Sequence, residues 1–89
     1  MTDDQLQALH DHLAATAERP VERTASRWLG EAEAVAADLV AGDLADDVLT
    51  ERLAKIAHIL ANVNGTDDAV ADDHVAAARD IVDRCLPDE

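Results

Sequence analysis

Apolar residues at helical spacing dominate the stretch from Val21 to Leu39. Successive members are four and three residues apart, which places them along one side of an α-helix that packs against a partner. Leu29, Ala36 and Val40 lie beside that seam and widen the apolar face. Gly42 follows as the expected C-cap residue, because glycine accepts the left-handed backbone that ends many helices. The seam consists of Val21, Ala25, Trp28, Ala32, Val35 and Leu39.

The same periodicity predicts three more helices, separated by short polar segments. The first begins at the capping-box sequence TDDQ and stops at Pro20, which can also open the second helix. GDLADD precedes the third helix and NVNG ends it with Gly65, while Thr66 caps the fourth helix and Pro87 closes it. The inward-facing apolar residues of these three helices are Leu6, Leu9, Leu13, Ala17, Val48, Leu49, Leu53, Ile56, Ile59, Leu60, Val63, Val70, Ala71, Val75, Ala78, Ile81, Val82 and Cys85.

Four amphipathic helices in 89 residues make one domain, residues 1–89. Connections this short join antiparallel neighbours, so we expect an all-α chain that forms a small antiparallel bundle of four helices. The first helix is the shortest, and we expect it to pack loosely or in trans. A chain of this length buries roughly 60% of its unfolded surface, so the core is modest and self-association would add stability.

The chain is strongly acidic. Twenty Asp and Glu residues face seven Lys and Arg residues, which gives a net charge of −13, and Lys55 is the one lysine. Such a chain repels itself in dilute buffer, whereas molar salt shortens the Debye length to about 3 Å and removes most of the repulsion. A composition poor in Lys and rich in Asp resembles that of proteins from halophilic archaea, which implies adaptation to high salt, with monovalent ions stabilising the fold.

The same charge narrows the classes of partner. No basic stripe is available to displace the counterions of a nucleic acid, and an anionic membrane surface is disfavoured for the same reason. The apolar runs are too short to span a bilayer, and we expect no secretion signal. Cys85 is the single cysteine, so an internal disulfide is excluded. We expect a cytoplasmic protein whose partner is a second copy of itself or another protein.

Trp28 is the only aromatic residue, since the chain has no Phe and no Tyr. Ala25 and Ala32 lie one turn to either side, and small residues beside a large one let a second helix approach closely. The indole is therefore interpreted as a packing anchor. Two places remain open for it: the centre of the bundle's own core, or an interface with another chain, where tryptophan is enriched.

Two polar residues interrupt the apolar faces and are candidate binding residues. Arg52 projects inside the apolar face of the third helix, between Val48 and Ile59 on one side and Ile56 on the other. Its stem can lie along the core while its guanidinium reaches a carboxylate of its own chain or of another subunit, or it can hold an anion in a pocket. His74 lies in line with Ala78 and is either a half-buried histidine that is hydrogen-bonded across the bundle, or a ligand or proton carrier. If both side chains enter one pocket, the bundle would bind a ligand there.

The sequence lacks metal-ligand and catalytic motifs. The HDH sequence at His10, Asp11 and His12 directs its three side chains to different sides of a helix, and the chain has no HExxH or CxxC. Ser26 is the one serine, without a nucleophile elbow, and no glycine-rich phosphate loop is present. We therefore predict no catalytic residue, no metal site and no cofactor.

The segment GEAEAVAADL loosely resembles the acidic helix of MazG-type all-α nucleotide pyrophosphohydrolases. That resemblance would make Glu31, Glu33 and Asp38 ligands of Mg²⁺. The family's motif has paired Glu with a third acid three residues on, and ExxD on the next helix, and this sequence has neither. A metal-dependent hydrolase is therefore the alternative function, and it requires carboxylates from two helices that converge on one point.

The opening stretch RTASRWLGEAEAVAADLV and the tail AVADDHVAAARDIVDR are similar to small haloarchaeal proteins of a family of unknown function. The resemblance implies a helical, salt-adapted protein and transfers no catalytic residue. The leading hypothesis is a non-catalytic helical interaction or structural protein, with a homodimer as one form of it.

Overall fold

The computed structural model describes residues 3–42 and 44–86, so the predicted Thr2 cap and Pro87 stop lie outside the described residues. The described part of the chain folds into helices without strands, which confirms the all-α prediction. Of the four helices α1 is the shortest, as predicted, with 14 residues. None of them is long and apolar enough to cross a membrane. They are α1 (Asp3–Thr16), α2 (Arg23–Ala41), α3 (Asp46–Ala61) and α4 (Ala69–Cys85).

The helices pack in a ring in which each contacts two others. α1 packs against α2 and α4, and α3 packs against the same two helices. Short connections join consecutive helices, which run antiparallel. α1 and α4 are antiparallel as well, because Arg19, just past the end of α1, pairs with Asp68 at the start of α4. The observed architecture is the predicted small bundle.

The core lies between the four helices and consists of aliphatic side chains. Leu9 and Leu13 of α1 have no exposed surface, and neither do Ala32 and Ala36 of α2. Alanine at these positions lets the helix axes approach closely, so that the leucines of facing helices fill the centre. Burial of each leucine contributes roughly 1.5–3 kcal/mol. α1 is therefore an integral part of the bundle, and the expectation that it packs loosely or in trans is wrong.

Helix α2 begins later than the sequence indicated. Its N-cap is Glu22, whose carboxylate accepts hydrogen bonds from the backbone N–H groups of Thr24 and Ala25 at 2.8 and 2.9 Å. Pro20 therefore precedes the helix, because a side chain that satisfies the first free N–H groups fixes where the helix starts. At the other end Gly42 is the C-cap with φ 90°, as predicted.

Helices α3 and α4 also end and begin at residues other than those predicted. The C-cap of α3 is Asn62, and Gly65 lies farther along the connection in the left-handed conformation with φ 104°. The N-cap of α4 is Asp68, whose carboxylate accepts a hydrogen bond from the N–H of Ala71 at 2.9 Å. Thr66, the predicted cap, lies in the connection and bonds to other groups.

Three residues of the predicted apolar faces are exposed, and several others are half-buried. Val40 and Val70 are 39% and 44% exposed. Both lie within two residues of a helix end, where neighbouring helices cover a side chain less completely. Ala17 is exposed and Val21 is half-buried, because α1 and α2 do not extend to these positions.

Candidate functional site

Trp28 lies on α2 between the core and the surface. The side chain is half-buried and packs against the buried cluster of the bundle. It also lines a groove of about 330 Å³ together with Thr24, Arg27 and Glu31, and we call these four residues the Trp28 groove. The structure therefore gives the indole a role in core packing and, at the same time, a place on an accessible surface.

The Trp28 groove carries one base and one acid, Arg27 and Glu31, one helical turn apart on the exposed side of α2. In the part of the chain that the structure describes, the ion pairs involve other side chains, so Arg27 pairs neither with Glu31 nor with another acid. Arg23, one turn before Arg27, is exposed too. Arg27 thus lies beside the indole in a chain whose net charge is −13.

Arg52 of α3 is half-buried and connects α3 to α2. Its Nη1 donates to Asp38 Oδ2 at 3.4 Å, in an ion pair whose side chains are 41% and 65% exposed. An exposed pair of this kind contributes about 0–1 kcal/mol. The guanidinium thus reaches a carboxylate of a neighbouring helix, which is a structural role.

His74 of α4 faces His12 of α1 across the contact between the first and last helices. Their Nδ1 atoms are 2.9 Å apart, and the ring centroids are 5.2 Å apart. Both side chains are half-buried. At this separation one imidazole donates its Nδ1 hydrogen and the Nδ1 of the other accepts it. One ring therefore carries a hydrogen on Nδ1 and the other does not.

Arg52 and His74 do not meet in one pocket. Arg52 lies at the contact of α3 with α2, whereas His74 lies at the contact of α4 with α1. These two contacts are on opposite sides of the ring of helices. The structure therefore does not form a ligand site that uses both residues.

His12 is the residue that reasoning from the sequence missed. Spacing along one helix sends His10 and His12 to different sides of α1, and in the structure His10 lies 4.0 Å from Asp11 while His12 turns toward α4. The partner of His12 is on another helix, so spacing within α1 cannot reveal it. A weak signal exists: Ala8 and Ala15, one turn to either side, are small residues at half-buried positions, as on the flank of a packed helix.

Both the α1–α2 connection (residues 17–22) and the α3–α4 connection (residues 62–68) lie at one end of the bundle, which we call the capped end. Arg19 donates from Nε and Nη2 to the two carboxylate oxygens of Asp68 at 2.9 and 3.0 Å. This bidentate pair raises the pKa of Arg19. The hydrogen bonds from Arg19 and, next, from the N–H of Ala71 lower the pKa of Asp68.

Thr66 is the buried centre of the capped end and has no exposed surface. Its N–H donates to Asp72 Oδ1 at 2.9 Å, and its hydroxyl lies 2.8 Å from the same oxygen. The hydroxyl oxygen accepts from the N–H of Asp68 at 3.2 Å. Its carbonyl oxygen accepts from the N–H of Glu22 at 2.7 Å, which joins the two connections directly. These bonds satisfy Thr66 and give it a structural role.

Arg79 of α4 holds the end of α3. Its Nη2 donates to the carbonyl oxygens of Leu60 and Val63 at 2.5 and 2.8 Å. The Leu60 carbonyl also accepts from the N–H of Val63 at 3.1 Å, and the guanidinium adds a positive charge at the negative end of the helix dipole. No sequence motif indicates this contact, because its acceptors are backbone atoms.

The acidic segment of α2 spreads its carboxylates over separate sites. Glu31 lies in the Trp28 groove, Glu33 lines a depression beside the end of α1, and Asp38 pairs with Arg52. Within residues 3–42 and 44–86, no group of three or more His, Cys, Asp or Glu side chains is placed to hold a metal ion. In this part of the chain the pyrophosphohydrolase alternative therefore lacks the converging carboxylates that it requires.

Residues 5–89 match the family described as a domain of unknown function (DUF8152). The match spans α2, α3, α4 and all but the first two residues of α1, so the chain belongs to that family. Membership of a family of unknown function, which the sequence indicated, is confirmed. Neither the curated proteins nor the solved structures contain a match to the chain.

Proposed function

We propose that the protein is a non-catalytic helical interaction protein, which forms a homodimer through the Trp28 groove and works in concentrated salt. The position of the single aromatic residue carries the proposal. Trp28 packs against the buried cluster and also lines an open groove. A partner that covers the exposed part of the indole removes apolar surface from water, and tryptophan and arginine are the residues that dominate the binding free energy of interfaces.

A second copy of the chain fits the charges of the Trp28 groove. Arg27 and Glu31 are one turn apart and do not pair with each other. When two α2 helices pack antiparallel about a twofold axis, Arg27 of each copy lies next to the partner's Glu31, because a twofold interface forms every contact twice. Such an arrangement pairs both charges of the groove and covers both indoles.

Concentrated salt belongs to the proposal because of the overall charge. Two copies that each carry −13 repel one another at long range. The repulsion extends over about 10 Å at 0.1 M ionic strength and only about 3 Å at 1 M. Burial of the indole and pairing at contact distance are less affected by this screening. We therefore expect dimerisation to strengthen as the salt concentration rises.

The test is the native mass of the tag-free chain in molar KCl, measured by sedimentation equilibrium over a concentration series. Wild type should be dimeric. Arg27→Glu and Glu31→Arg should each shift the chain to monomer, because like charges then face each other across the twofold axis. The double variant R27E/E31R should recover the dimer. Recovery occurs only if the two groups meet across one interface, so it distinguishes a homodimer from binding to an unrelated protein.

Matched controls are available on α3. Lys55→Glu and Glu51→Arg make the same charge changes at exposed positions outside the groove, and both should leave the native mass unchanged. The fluorescence of Trp28, the only aromatic residue, should shift to shorter wavelength as concentration rises through the dimerisation range. A wild-type chain that stays monomeric in every salt, with emission independent of concentration, would refute the second copy as partner.

A further inference from the structure

The contact between His12 and His74 differs from the other polar contacts between helices, because both partners are imidazoles. Two ring nitrogens, one from the first helix and one from the last, face each other at 2.9 Å in a half-buried position. A neutral imidazole has one nitrogen with a lone pair for a ligand, and such nitrogens are common ligands of zinc, nickel and copper. The pair therefore places two metal-binding atoms from distant parts of the chain side by side.

We propose that His12 and His74 form a two-histidine site for a divalent metal ion of the nickel and copper type, bound through both Nδ1 atoms. Metal–nitrogen bonds of about 2.0–2.1 Å that meet at a right angle place the two nitrogens about 2.9 Å apart. That is the separation observed between the Nδ1 atoms. Square and octahedral ions use such right angles, whereas tetrahedral zinc separates two ligands by about 3.3–3.4 Å.

The surroundings hold the two histidines in register without the ion. α1 and α4 pack along each other, and the Arg19–Asp68 pair fixes the end of α1 against the start of α4. When an ion binds, the imidazole that carries its hydrogen on Nδ1 takes the Nε2–H form instead, and each ring turns its Nδ1 lone pair by about 45° from the other nitrogen toward a common point. The hydrogen shared by the imidazoles and the ion compete for the same gap. The site is thus largely formed before an ion arrives, which lowers the cost of binding.

The ion held here is exchangeable. The described residues provide no group of three or more potential ligands, so water completes the coordination. Its effect is to link α1 to α4 and thereby stabilise a bundle that is already folded. This site is separate from the Trp28 groove, so a test of one does not decide the other.

The experiment uses the full, tag-free chain in molar KCl at pH 8, with thermal unfolding followed by circular dichroism during titration with NiCl₂ or CuCl₂. At an ion concentration 100-fold above Kd, the melting temperature of wild type should rise by about 10–20 °C. His12→Gln and His74→Gln should each lose most of this rise. The other two histidines of the chain provide matched controls, and His10→Gln and His58→Gln should keep it.

Copper electron paramagnetic resonance of wild type gives a second measurement that needs no variant to fold. Nitrogen hyperfine structure from two equivalent imidazoles on one ion supports the site. A spectrum with one coordinating nitrogen or none overturns it. So does a melting temperature that the ions do not change, or a rise that persists in His12→Gln and His74→Gln, because the ion then binds elsewhere.

Discussion

The two ends of the bundle are held together in different ways. At the capped end, Arg19 and Asp68 form a bidentate ion pair between two connections, and buried Thr66 bonds to groups on both sides. The opposite end has one connection, residues 42–45, between α2 and α3. There Ala45 is the N-cap of α3 and makes no side-chain hydrogen bond to its helix.

This difference follows from the topology. In an up-and-down bundle of four helices, two connections meet at one end, while the other end has a single connection and the two chain ends. Polar contacts between connections can therefore form at the capped end. The core of this chain is mostly Ala, Leu, Ile and Val, whose contacts are not directional. Directional hydrogen bonds at the capped end then define how the helices are placed relative to one another.

The largest effect is expected from Thr66→Val, which keeps the shape of the side chain and removes its hydroxyl. The N–H of Asp68 loses its acceptor, and Asp72 Oδ1 loses one of its donors, at a part-buried position. A buried polar group left without a partner costs about 1–3 kcal/mol, so the free energy of unfolding should fall by about that much. Urea unfolding in molar salt measures it.

Thr50→Val is the control for this change, because Thr50 is exposed near the start of α3, at the other end of the bundle. It should alter the free energy of unfolding by less than about 0.5 kcal/mol. If the free energy of unfolding falls by the same amount in both valine variants, the hydrogen bonds of the capped end do not stabilise the fold more than contacts at the other end, and the contrast between the two ends is wrong.

A smaller effect, of opposite sign, is expected at the other end from Ala45→Ser. Ala45 has the extended backbone of an N-cap, φ −63° and ψ 152°, without a side chain that can accept a hydrogen bond. Serine supplies that acceptor and should raise the free energy of unfolding by roughly 0.5–1 kcal/mol.

Ala54→Ser, at an exposed position inside α3, serves as the control for the cap. Serine is a poorer helix former than alanine, so this variant should lose up to about 0.5 kcal/mol. A gain in both variants would mean that serine acts through something other than the cap.

The contrast between the ends also explains which features could be predicted from the sequence. The helices and most of their buried faces could be predicted, because apolar spacing and Gly42 are local signals. The cap of α4 could not, since Thr66 and Asp68 are both good cap residues. Asp68 is the cap in the structure. Arg19, 49 residues away, holds the Asp68 carboxylate in place, and Thr66 is bonded to Asp72 instead. Local patterns contain no information about such partners.

The candidate sites follow the same rule. Trp28 could be identified as an anchor because it is the only aromatic residue on an apolar seam, although its half-buried position depends on how closely the neighbouring helices pack. The pairing of His12 with His74 could not be predicted, because these residues are 62 positions apart and meet only when α1 and α4 are in register. Arg52 could be identified as an anomaly, and its partner Asp38 could not.

The smallest change in the free energy of unfolding at neutral pH is expected from Asp68→Asn. The pH dependence of this change tests whether the ion pair at the capped end stabilises the fold. Asparagine still caps α4 but loses the ion pair with Arg19, which is partly exposed. Because folding lowers the pKa of Asp68, its carboxylate stabilises the fold above the ordinary pKa of Asp, and this contribution disappears as pH falls through the lowered pKa. The difference in free energy of unfolding between wild type and variant should therefore be constant from pH 7 to about pH 5 and shrink below about pH 4.

The thermodynamic cycle with Arg19→Gln separates the ion pair from the cap. If the bidentate pair is the cause, Asp68→Asn should cost little more once Arg19 has been replaced, and the double variant should lose the difference in pH dependence. Additive losses with an unchanged pH profile would assign the stabilisation to the bond between Asp68 and the N–H of Ala71. The capped end would then consist of a helix cap and buried Thr66, with the ion pair as a surface contact only.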